Sequence, residues 1–445
     1  MKTWLLGAWE SLRTSFWFLP AVMALVCTLL AFVTISIDER TQLDLPGPFS
    51  RLEAGTADSV RTLLATVVGA IITVLSVVFS ITIVTLTLAA SQFGPRLLRN
   101  FMRDRGNQFV LATMISTFIY CLLVLQMAES ADASRQQFVP HLSTMVALLL
   151  TLTSLGTLIY FIHHMAQSIQ APFVIGAVAN NLHGAIDTYF PDPIDSHDGD
   201  PSPEEAADLH RRIENDARPV HSLQQGYIQA ILDDVLVAAA TRKDVAIRLR
   251  HRPGTFVNQN AVLAYVTPAD RVDDDLCRRI NHAALIGLRR TDTQDIEFEI
   301  SQLVEIGLRA LSPSINDPGT AINCIDQLGG ALAHLATRRF PSAYLRDDTG
   351  VLRVIVDRTS YTGTVNAAFN QLRQMGQNHP AVTIHMLETI ARVAEQVYTD
   401  EQRQALVQQA EMIHHSALPF LTEDLDRQSL EKRFTRAMRL LGREP

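Results

Sequence analysis

The stretch RTLLATVVGAIITVLSVVFSITIVTLTLAASQFGPR, residues Arg61 to Arg96, decides the fold of this chain. No residue from Thr62 to Phe93 carries a formal charge, and the stretch closes on Gly94-Pro95. A helix of about 32 residues is roughly 48 Å long, whereas the hydrocarbon core of a bilayer is roughly 30 Å thick. The sequence therefore predicts a transmembrane helix that extends beyond its bilayer.

This long helix carries a stripe of hydroxyl side chains. The stripe residues recur mostly at intervals that place them on one side of a helix, and they are Thr66, Thr73, Ser76, Ser80, Thr87 and Ser91, with Gly69 and Gly94 in line. Two interpretations stay open. Small residues and hydroxyls permit close packing between membrane helices. Several copies of the helix around an axis could instead line an ion pore with the same hydroxyls.

Three further apolar segments predict a four-helix membrane domain over residues 1–167. They span about Phe16–Ile37, Phe109–Met127 and Leu142–Ile162. Acidic residues dominate two of the connecting loops, whereas the loop after the long helix carries a single Asp104 against Arg96, Arg99, Arg103 and Arg105. Because basic residues favour the cytoplasmic side, the pattern predicts four crossings with both termini in the cytoplasm.

The segment that follows the long helix predicts an elbow. Gly94 and Pro95 end the helix, and Arg96 and Arg99 follow at once. These arginines could simply contact lipid headgroups. Alternatively, the elbow could receive force from a cytoplasmic domain and pass it to the long helix, which would make it a gating element.

The rest of the chain predicts a cytoplasmic α+β domain. Residues 168–218 predict a connecting helix and a Pro- and Asp-rich linker, and short β-prone runs over 219–268 predict a small β-barrel-like module. Residues 269–445 predict a helical bundle with one β-hairpin, whose turn is residues 347–350. In that bundle residues 273–288 predict one helix, and Thr291 to Gln294 has the form of a capping box that opens the next.

The string SPSINDPGT, Ser312 to Thr320, is the clearest candidate for a ligand site in this domain. Asp317 suits an N-cap and Pro318 the first helical position, so the string predicts at least a corner between two helices. Polar side chains near a helix N-terminus could also converge on a small polar ligand. The candidates are Arg309, Ser312, Asn316, Asp317 and Thr320.

Composition and motifs argue against several functions. The formal net charge of −8 suggests no nucleic-acid surface. Only four cysteines occur, at Cys27, Cys121, Cys277 and Cys324, without a metal-ligand spacing, so we expect no disulfide framework and no metal or other cofactor. No serine has a base and an orienting acid in a distinctive context, so we expect no enzyme.

Two stretches resemble the hallmarks of a known family. They are SVVFSITIVTLTLAASQFGPRLLRNFMRDRGNQFVLATMISTFIY, residues 76–120, and LRALSPSINDPGTAINCIDQL, residues 308–328. Both are similar to a bacterial family of predicted membrane proteins, domain of unknown function 2254. The resemblance extends to about residue 400, with Gly94 in place of a small serine-like residue. It implies four transmembrane helices and a cytoplasmic domain, and hence a place in the bacterial inner membrane.

These features predict a homo-oligomeric channel of the inner membrane. The long helix would line the pore, the cytoplasmic domain would gate it, and the acidic outer loops would favour cations. The alternative is a non-conducting membrane sensor or scaffold whose cytoplasmic domain binds a ligand or a protein partner. Both hypotheses imply the lipid bilayer as a partner, and the first also implies ions.

Overall fold

A computed structural model describes residues 17–40, 57–94, 104–129, 140–194 and 200–443. The chain divides into two compact units, Met1–Phe173 and Val174–Pro445. We call them the membrane unit and the C-terminal unit. Described residues in both are mainly helical, as predicted, and strands occur only in the C-terminal unit among them.

The membrane unit contains four long helices, which confirms the prediction from the apolar segments. They are α1 (Phe18–Arg40), α2 (Ala57–Phe93), α3 (Arg105–Glu129) and α4 (His141–Ser168). Each contains a stretch long and apolar enough to cross a membrane. α2 has 37 residues, which corresponds to roughly 55 Å and exceeds a bilayer core of roughly 30 Å.

Helix α3 lies at the centre of the membrane unit, where it packs against α1, α2 and α4. One apolar cluster surrounds the fully buried Leu64 and Tyr120. A second surrounds Val78 of α2, Leu111 of α3 and Phe161 of α4. α2 therefore uses one face for packing within the protomer.

A buried carboxylate also joins α1 to α4. Asp38 is 8% exposed, and it accepts hydrogen bonds from the backbone N–H of Leu142 at 3.0 Å and of Ser143 at 2.9 Å. The Ser143 hydroxyl donates to it as well, at 2.7 Å. Asp38 thus supplies from a different helix the cap that the first turn of α4 needs. Asp38 lies just beyond the first predicted apolar segment, Phe16–Ile37, because the helix continues to Arg40.

The C-terminal unit contains ten α-helices in the described residues, the first of which begins in the membrane unit. They are α5 (Ala171–Tyr189), α6 (Pro203–Asn215), α7 (Asp233–Lys243), α8 (Asp274–Ala283), α9 (Ile296–Ala310), α10 (Pro318–Ala336), α11 (Tyr361–Gly376), α12 (Pro380–Ala394), α13 (Asp400–Ala417) and α14 (Asp424–Leu440). Helices α9 to α14 pack against one another as the predicted bundle. The predicted hairpin is also present, with Gly350 at φ 84° in its turn.

The predicted β-barrel was wrong, because the strands form two sheets and neither closes. The strands are β1 (Arg218–His221), β2 (Gly226–Ile231), β3 (Ala246–Leu249), β4 (Phe256–Val257), β5 (Val262–Thr267), β6 (Ala284–Gly287), β7 (Tyr344–Arg346) and β8 (Leu352–Ile355). One sheet has the order β1-β5-β3-β8-β7, and the other has the order β4-β2-β6. The barrel prediction assumed that strands of residues 219–268 pair only with each other. In fact β6 and β8 come from outside that segment.

Two local predictions nearby were also wrong. The segment predicted as one helix over 273–288 ends its helix at Ala283 and continues as β6. The capping box at Thr291 does not form, since α9 begins at Ile296 and Asp295 caps it by accepting from the Phe298 N–H at 3.1 Å. Gln294 instead accepts a hydrogen bond from the Ile231 N–H at 2.8 Å, so its side chain serves the end of β2.

Candidate functional site

The hydroxyl stripe of α2 lies on the face opposite the one that packs in the protomer. Five of its six hydroxyl residues follow a buried residue by two positions, which is about 200° around a helix. The buried residues are Leu64, Ile71, Val78, Thr85 and Ala89, all at most 7% exposed. All six stripe residues are exposed. Packing against helices of the same protomer therefore does not account for the stripe.

Most stripe hydroxyls donate their hydrogen to their own helix. The donors are Thr66, Thr73, Ser76, Thr87 and Ser91, each bonded at 2.8–2.9 Å to a carbonyl three or four residues earlier. A hydroxyl has one hydrogen and two acceptor lone pairs. Once the hydrogen is donated, the exposed face of α2 presents lone pairs, which attract cations.

The predicted gating elbow is described only at its first residue. Gly94 is buried and its φ of 106° lies in the region that favours glycine, so it ends α2. Its N–H donates to the Ala90 carbonyl at 3.2 Å. Pro95, Arg96 and Arg99 lie outside the described residues.

Directly after this loop, α3 is tied to the end of α4. Asp104 accepts from the Gly106 N–H at 2.7 Å, and its other oxygen lies 2.6 Å from His164 Nε2. The Tyr160 ring stacks on His164 with centroids 5.4 Å apart. Sequence reasoning missed this contact because Asp104 and His164 are 60 positions apart.

The polar groups of the corner at Ser312–Thr320 form hydrogen bonds with one another and stabilise the turn. Asp317 accepts from the Thr320 N–H at 3.1 Å and from the Thr320 hydroxyl at 2.6 Å, and these hydrogen bonds lower the pKa of Asp317. The Ser312 hydroxyl donates to the Arg309 carbonyl at 2.6 Å. Asn316 adopts φ 50°, which asparagine tolerates better than most residues. The predicted N-cap is confirmed.

The five candidate residues of this corner are neighbours in the sequence, but three of them already make hydrogen bonds within the turn. Asp317, Thr320 and Ser312 are engaged as described above. The Arg309 guanidinium lies 3.7 Å from Glu305 of the same helix. The corner also exposes an apolar side chain, Ile315, which is 47% exposed. This geometry fits a structural corner better than a closed ligand site.

The C-terminal unit contains a groove that the sequence analysis did not predict. Its volume is about 1350 Å³, and its walls are the end of α5, helix α7, the β7–β8 hairpin and residues 357–359. Aromatic residues of its lining are Tyr189, Phe190, Phe340 and Tyr344. The groove is formed by segments that lie more than 150 positions apart in the chain. No local sequence pattern therefore predicts it.

Charged side chains of both signs line the groove. Arg242 pairs with Asp275 at 2.7 Å, Arg346 pairs with Glu205 at 2.6 Å, and Arg358 pairs with Asp233. Hydrogen bonds from Thr349, Arg353 and backbone N–H groups bring the pKa of Asp347 well below its usual range. Most of the positive charge in the groove is therefore already matched by carboxylates.

Two polar atoms in the groove lining remain without a hydrogen bond among the described residues. They are Asp233 Oδ1 and Arg358 Nε, and both atoms are buried. The two side chains are joined by a hydrogen bond that Nη2 of Arg358 donates to Oδ2 of Asp233. A buried polar atom without a partner costs free energy, so this pair holds two unmet hydrogen bonds at the wall of the groove.

Comparison with known proteins places the chain in a family. The family described as predicted membrane protein, DUF2254, matches residues 13–392. The chain belongs to this family. Uncharacterized proteins of Mycobacterium bovis and Mycobacterium tuberculosis are each 31% identical to it over 385 residues, which is 84% of this chain and 71% of each relative. No solved structure matches the chain.

The DUF2254 match includes all four membrane helices, the stripe of α2, the corner at Ser312–Thr320 and the lining of the groove. Helices α13 and α14 lie beyond it. The stripe, the corner and the groove therefore all lie within the DUF2254 region of this chain.

Proposed function

We propose that this DUF2254 protein is a homo-oligomeric channel of the bacterial inner membrane. Helix α2 of each subunit lines the pore, and the C-terminal unit lies in the cytoplasm and controls its opening. The observation that carries the proposal is the outward orientation of the hydroxyl stripe, from Thr66 to Ser91. The six hydroxyl residues are exposed while α2 packs within the protomer by its other face, and copies arranged around an axis would bring these hydroxyls together.

The chemistry of the stripe supports a preference for cations. Its donated hydrogens leave oxygen lone pairs on the exposed face of α2. Lone pairs of neutral oxygens partly replace the water around a cation without holding it as tightly as a carboxylate would. Conduction requires such moderate binding.

We infer the orientation of the protein from the position of its basic residues and from the even number of its membrane crossings. Four crossings return the chain to its starting side, and the arginines of residues 96–105 favour the cytoplasm for the loop between α2 and α3. In this orientation both termini are cytoplasmic. The C-terminal end of α2, at Gly94, then lies on the cytoplasmic side, where a cytoplasmic unit could act on it.

Two measurements on reconstituted protein test the channel. Liposomes that contain the protein should pass monovalent cations under a gradient, and empty liposomes should not. Cysteines introduced singly at Thr73, Ser76 and Ser80 should react with a membrane-impermeant, polar thiol reagent.

A background with Cys277→Ser removes the partly exposed native thiol. Leu29→Cys on the exposed face of α1 is the control for a lipid-facing position, and it should stay unreactive. Absence of flux together with unreactive stripe cysteines would contradict the pore.

The groove favours a second candidate function, a non-conducting sensor or scaffold whose C-terminal unit binds a ligand. Its volume and the unpaired atoms of Asp233 and Arg358 are the observations in its favour. In this case α2 would pack copies together without a water-filled path. Reactive stripe cysteines would exclude this alternative, because a packed dry interface does not admit a polar reagent.

A further inference from the structure

A pair of histidines joins α5 to α10 within the C-terminal unit. Nδ1 of His183 lies 3.1 Å from Nδ1 of His334. The two rings stack with their centroids 5.3 Å apart and their planes 27° apart. Both residues are partly buried. Two titratable rings in direct contact respond to protons differently from two isolated histidines.

The contacts define a neutral arrangement of the pair. Nε2 of His334 lies 3.3 Å from Nε and 3.1 Å from Nη2 of Arg338. Arginine only donates, so this nitrogen of His334 accepts. His334 then carries its hydrogen on Nδ1 and donates it to Nδ1 of His183. Both rings are neutral in this arrangement, and the nitrogens that face each other share one hydrogen.

The pair can take up one proton but resists a second. A proton on Nδ1 of His183 would be donated to Nδ1 of His334, whose own hydrogen would move to Nε2, 3.1 Å from Asp187 Oδ1. A second proton would place two N–H groups head to head and two cations beside Arg338. Burial first, and His334 second, lower the pKa of His183, while Asp187 opposes them.

The charged groups that face the pair are Asp187 of α5 and Arg338, which follows α10. Arg338 donates to Asp187 at 2.6 Å and to the Pro191 carbonyl at 3.1 Å. Among the described residues no set of three His, Cys, Asp or Glu side chains forms a metal-binding group. The contact between the two rings is therefore better explained by a shared hydrogen than by a metal ion.

The histidine pair lies where α5 is attached to α10. The segment after α5 runs beside the segment after α10, with Ile194 N–H donating to the Thr337 carbonyl at 3.0 Å and Arg339 N–H to the Asp192 carbonyl at 2.9 Å. Only two residues separate the end of α4 from the start of α5, and α5 is the segment through which the chain passes from one unit to the other.

We propose that His183 and His334 form an acid-sensitive latch, which holds α5 on α10 at neutral pH and releases it as the pH falls below about 6. Once α5 is released, the burial and the second ring that lower the pKa of His183 are gone, and His183 binds a proton near the ordinary histidine pKa of about 6.5. Because the docked form binds fewer protons than the released form, docking is favoured above that pH and weakens below it. For one excluded proton the docking constant falls about tenfold per pH unit.

Hydrogen–deuterium exchange of the full-length protein in detergent micelles tests the latch. The rates at about pH 7.5 and about pH 5.5 are corrected for the chemistry of exchange before they are compared. The protection of residues 174–190 should fall about tenfold or more at the lower pH, while that of α11 stays unchanged. A change of less than about twofold in residues 174–190 would overturn the proposal. The test does not depend on whether the membrane unit conducts.

Two variants show whether the histidines cause the effect. His183→Asn combined with His334→Asn keeps two side chains that can share a hydrogen bond but cannot titrate, and its α5 should be equally protected at both pH values. His385→Asn removes a histidine that lies 2.8 Å from Asp326 elsewhere in the unit, and it should keep the full pH response. A double variant that still loses protection at low pH would refute the latch.

Circular dichroism at neutral pH checks that the double variant folds. If it does not fold, His183→Asn alone carries the test, because this variant removes the ring that faces His334 and with it the excluded proton. The loss of protection at low pH should shrink to less than about threefold in this variant. An undiminished response would overturn the proposal.

Discussion

Asp38 of α1 accepts both the backbone N–H and the hydroxyl of Ser143, the third residue of α4, at 2.9 and 2.7 Å. Asp38→Ala would leave the partly buried N–H of Leu142 and the buried N–H of Ser143, at the start of α4, without an acceptor. We expect it to destabilise the membrane unit by about 1–3 kcal/mol, measured as a lower midpoint of thermal unfolding in detergent. Asp58→Ala is the matched control, because Asp58 is an exposed acid in the first turn of α2. It should cost less than about 1 kcal/mol, and equal losses in both variants would contradict the role of Asp38.

Two glycines in the membrane unit should respond oppositely to the same substitution. A Cβ at Gly106 would lie 2.9 Å from the Tyr160 hydroxyl and 3.0 Å from His164 Nε2, whereas a Cβ at Gly69 would meet nothing within 4 Å in the protomer. Gly106→Ala should disturb the contact between Asp104 and His164 and lower the unfolding midpoint.

Gly69→Ala should leave the protomer unharmed or stabilise it by up to about 1 kcal/mol, since alanine favours helix. Size-exclusion chromatography in detergent then reports on assembly. If copies meet at the stripe, Gly69→Leu should shift the protein towards smaller species, and the exposed Leu29→Ile on α1 should not.

Substitutions in the corner at Ser312–Thr320 can distinguish a structural role of its side chains from a role in binding. Asp317→Ala removes the cap of α10 and should cost about 0.5–2 kcal/mol of stability. Asn316→Gly should be tolerated, because φ 50° suits glycine, while Asn316→Val should destabilise by about 1–2 kcal/mol. Unfolding by urea measures these changes. If Asn316→Gly abolishes ion flux in liposomes while stability is unchanged, the side chain of Asn316 has a function beyond the turn.

The same corner predicts a pH dependence whose sign follows from the cap. Hydrogen bonds from Thr320 lower the pKa of Asp317 in the folded state. The stabilisation by this carboxylate is therefore present above its unfolded pKa of about 3.9 and is lost as the pH falls through the folded value. The difference in unfolding free energy between the wild type and Asp317→Asn should be constant near neutral pH and shrink below about pH 4. A difference that persists unchanged in acid would contradict this account.

The parts of the fold that are visible in the sequence are those with local causes. A run of uncharged residues defines α2, and Asp317 followed by Pro318 defines the start of α10. The stripe is also local, since helical spacing alone aligns it. That the stripe points away from the protomer could not be predicted, because it depends on which face of α2 packs on α3.

What the sequence did not reveal are the contacts between distant segments. Ile247 of β3 pairs with Val354 of β8, and His183 meets His334 across 151 positions. A short β-prone run shows that a strand is favoured but not which strand will accept its hydrogen bonds, so the barrel was a wrong choice among possible partners. The groove could not be predicted for the same reason, since each of its walls comes from a different part of the C-terminal unit.

Two threonines of α2 provide the sharpest test of the pore. Thr87 and Thr82 make the same hydrogen bond, to the carbonyl four residues earlier, at 2.9 and 2.8 Å. They differ in position, because Thr87 is exposed on the stripe and Thr82 is partly buried towards the packing face. Valine has nearly the shape of threonine but no oxygen, so each substitution removes lone pairs with little change in volume.

Thr87→Val should therefore lower cation flux into liposomes several-fold, whereas Thr82→Val should leave it near the wild-type rate. Both variants should keep the oligomeric state of the wild type, since neither changes side-chain size enough to disturb packing between helices. Equal effects of the two substitutions on flux would mean that the stripe oxygens do not face the ion path. α2 would then assemble subunits without lining a pore, and the groove of the C-terminal unit would become the leading candidate for the functional site.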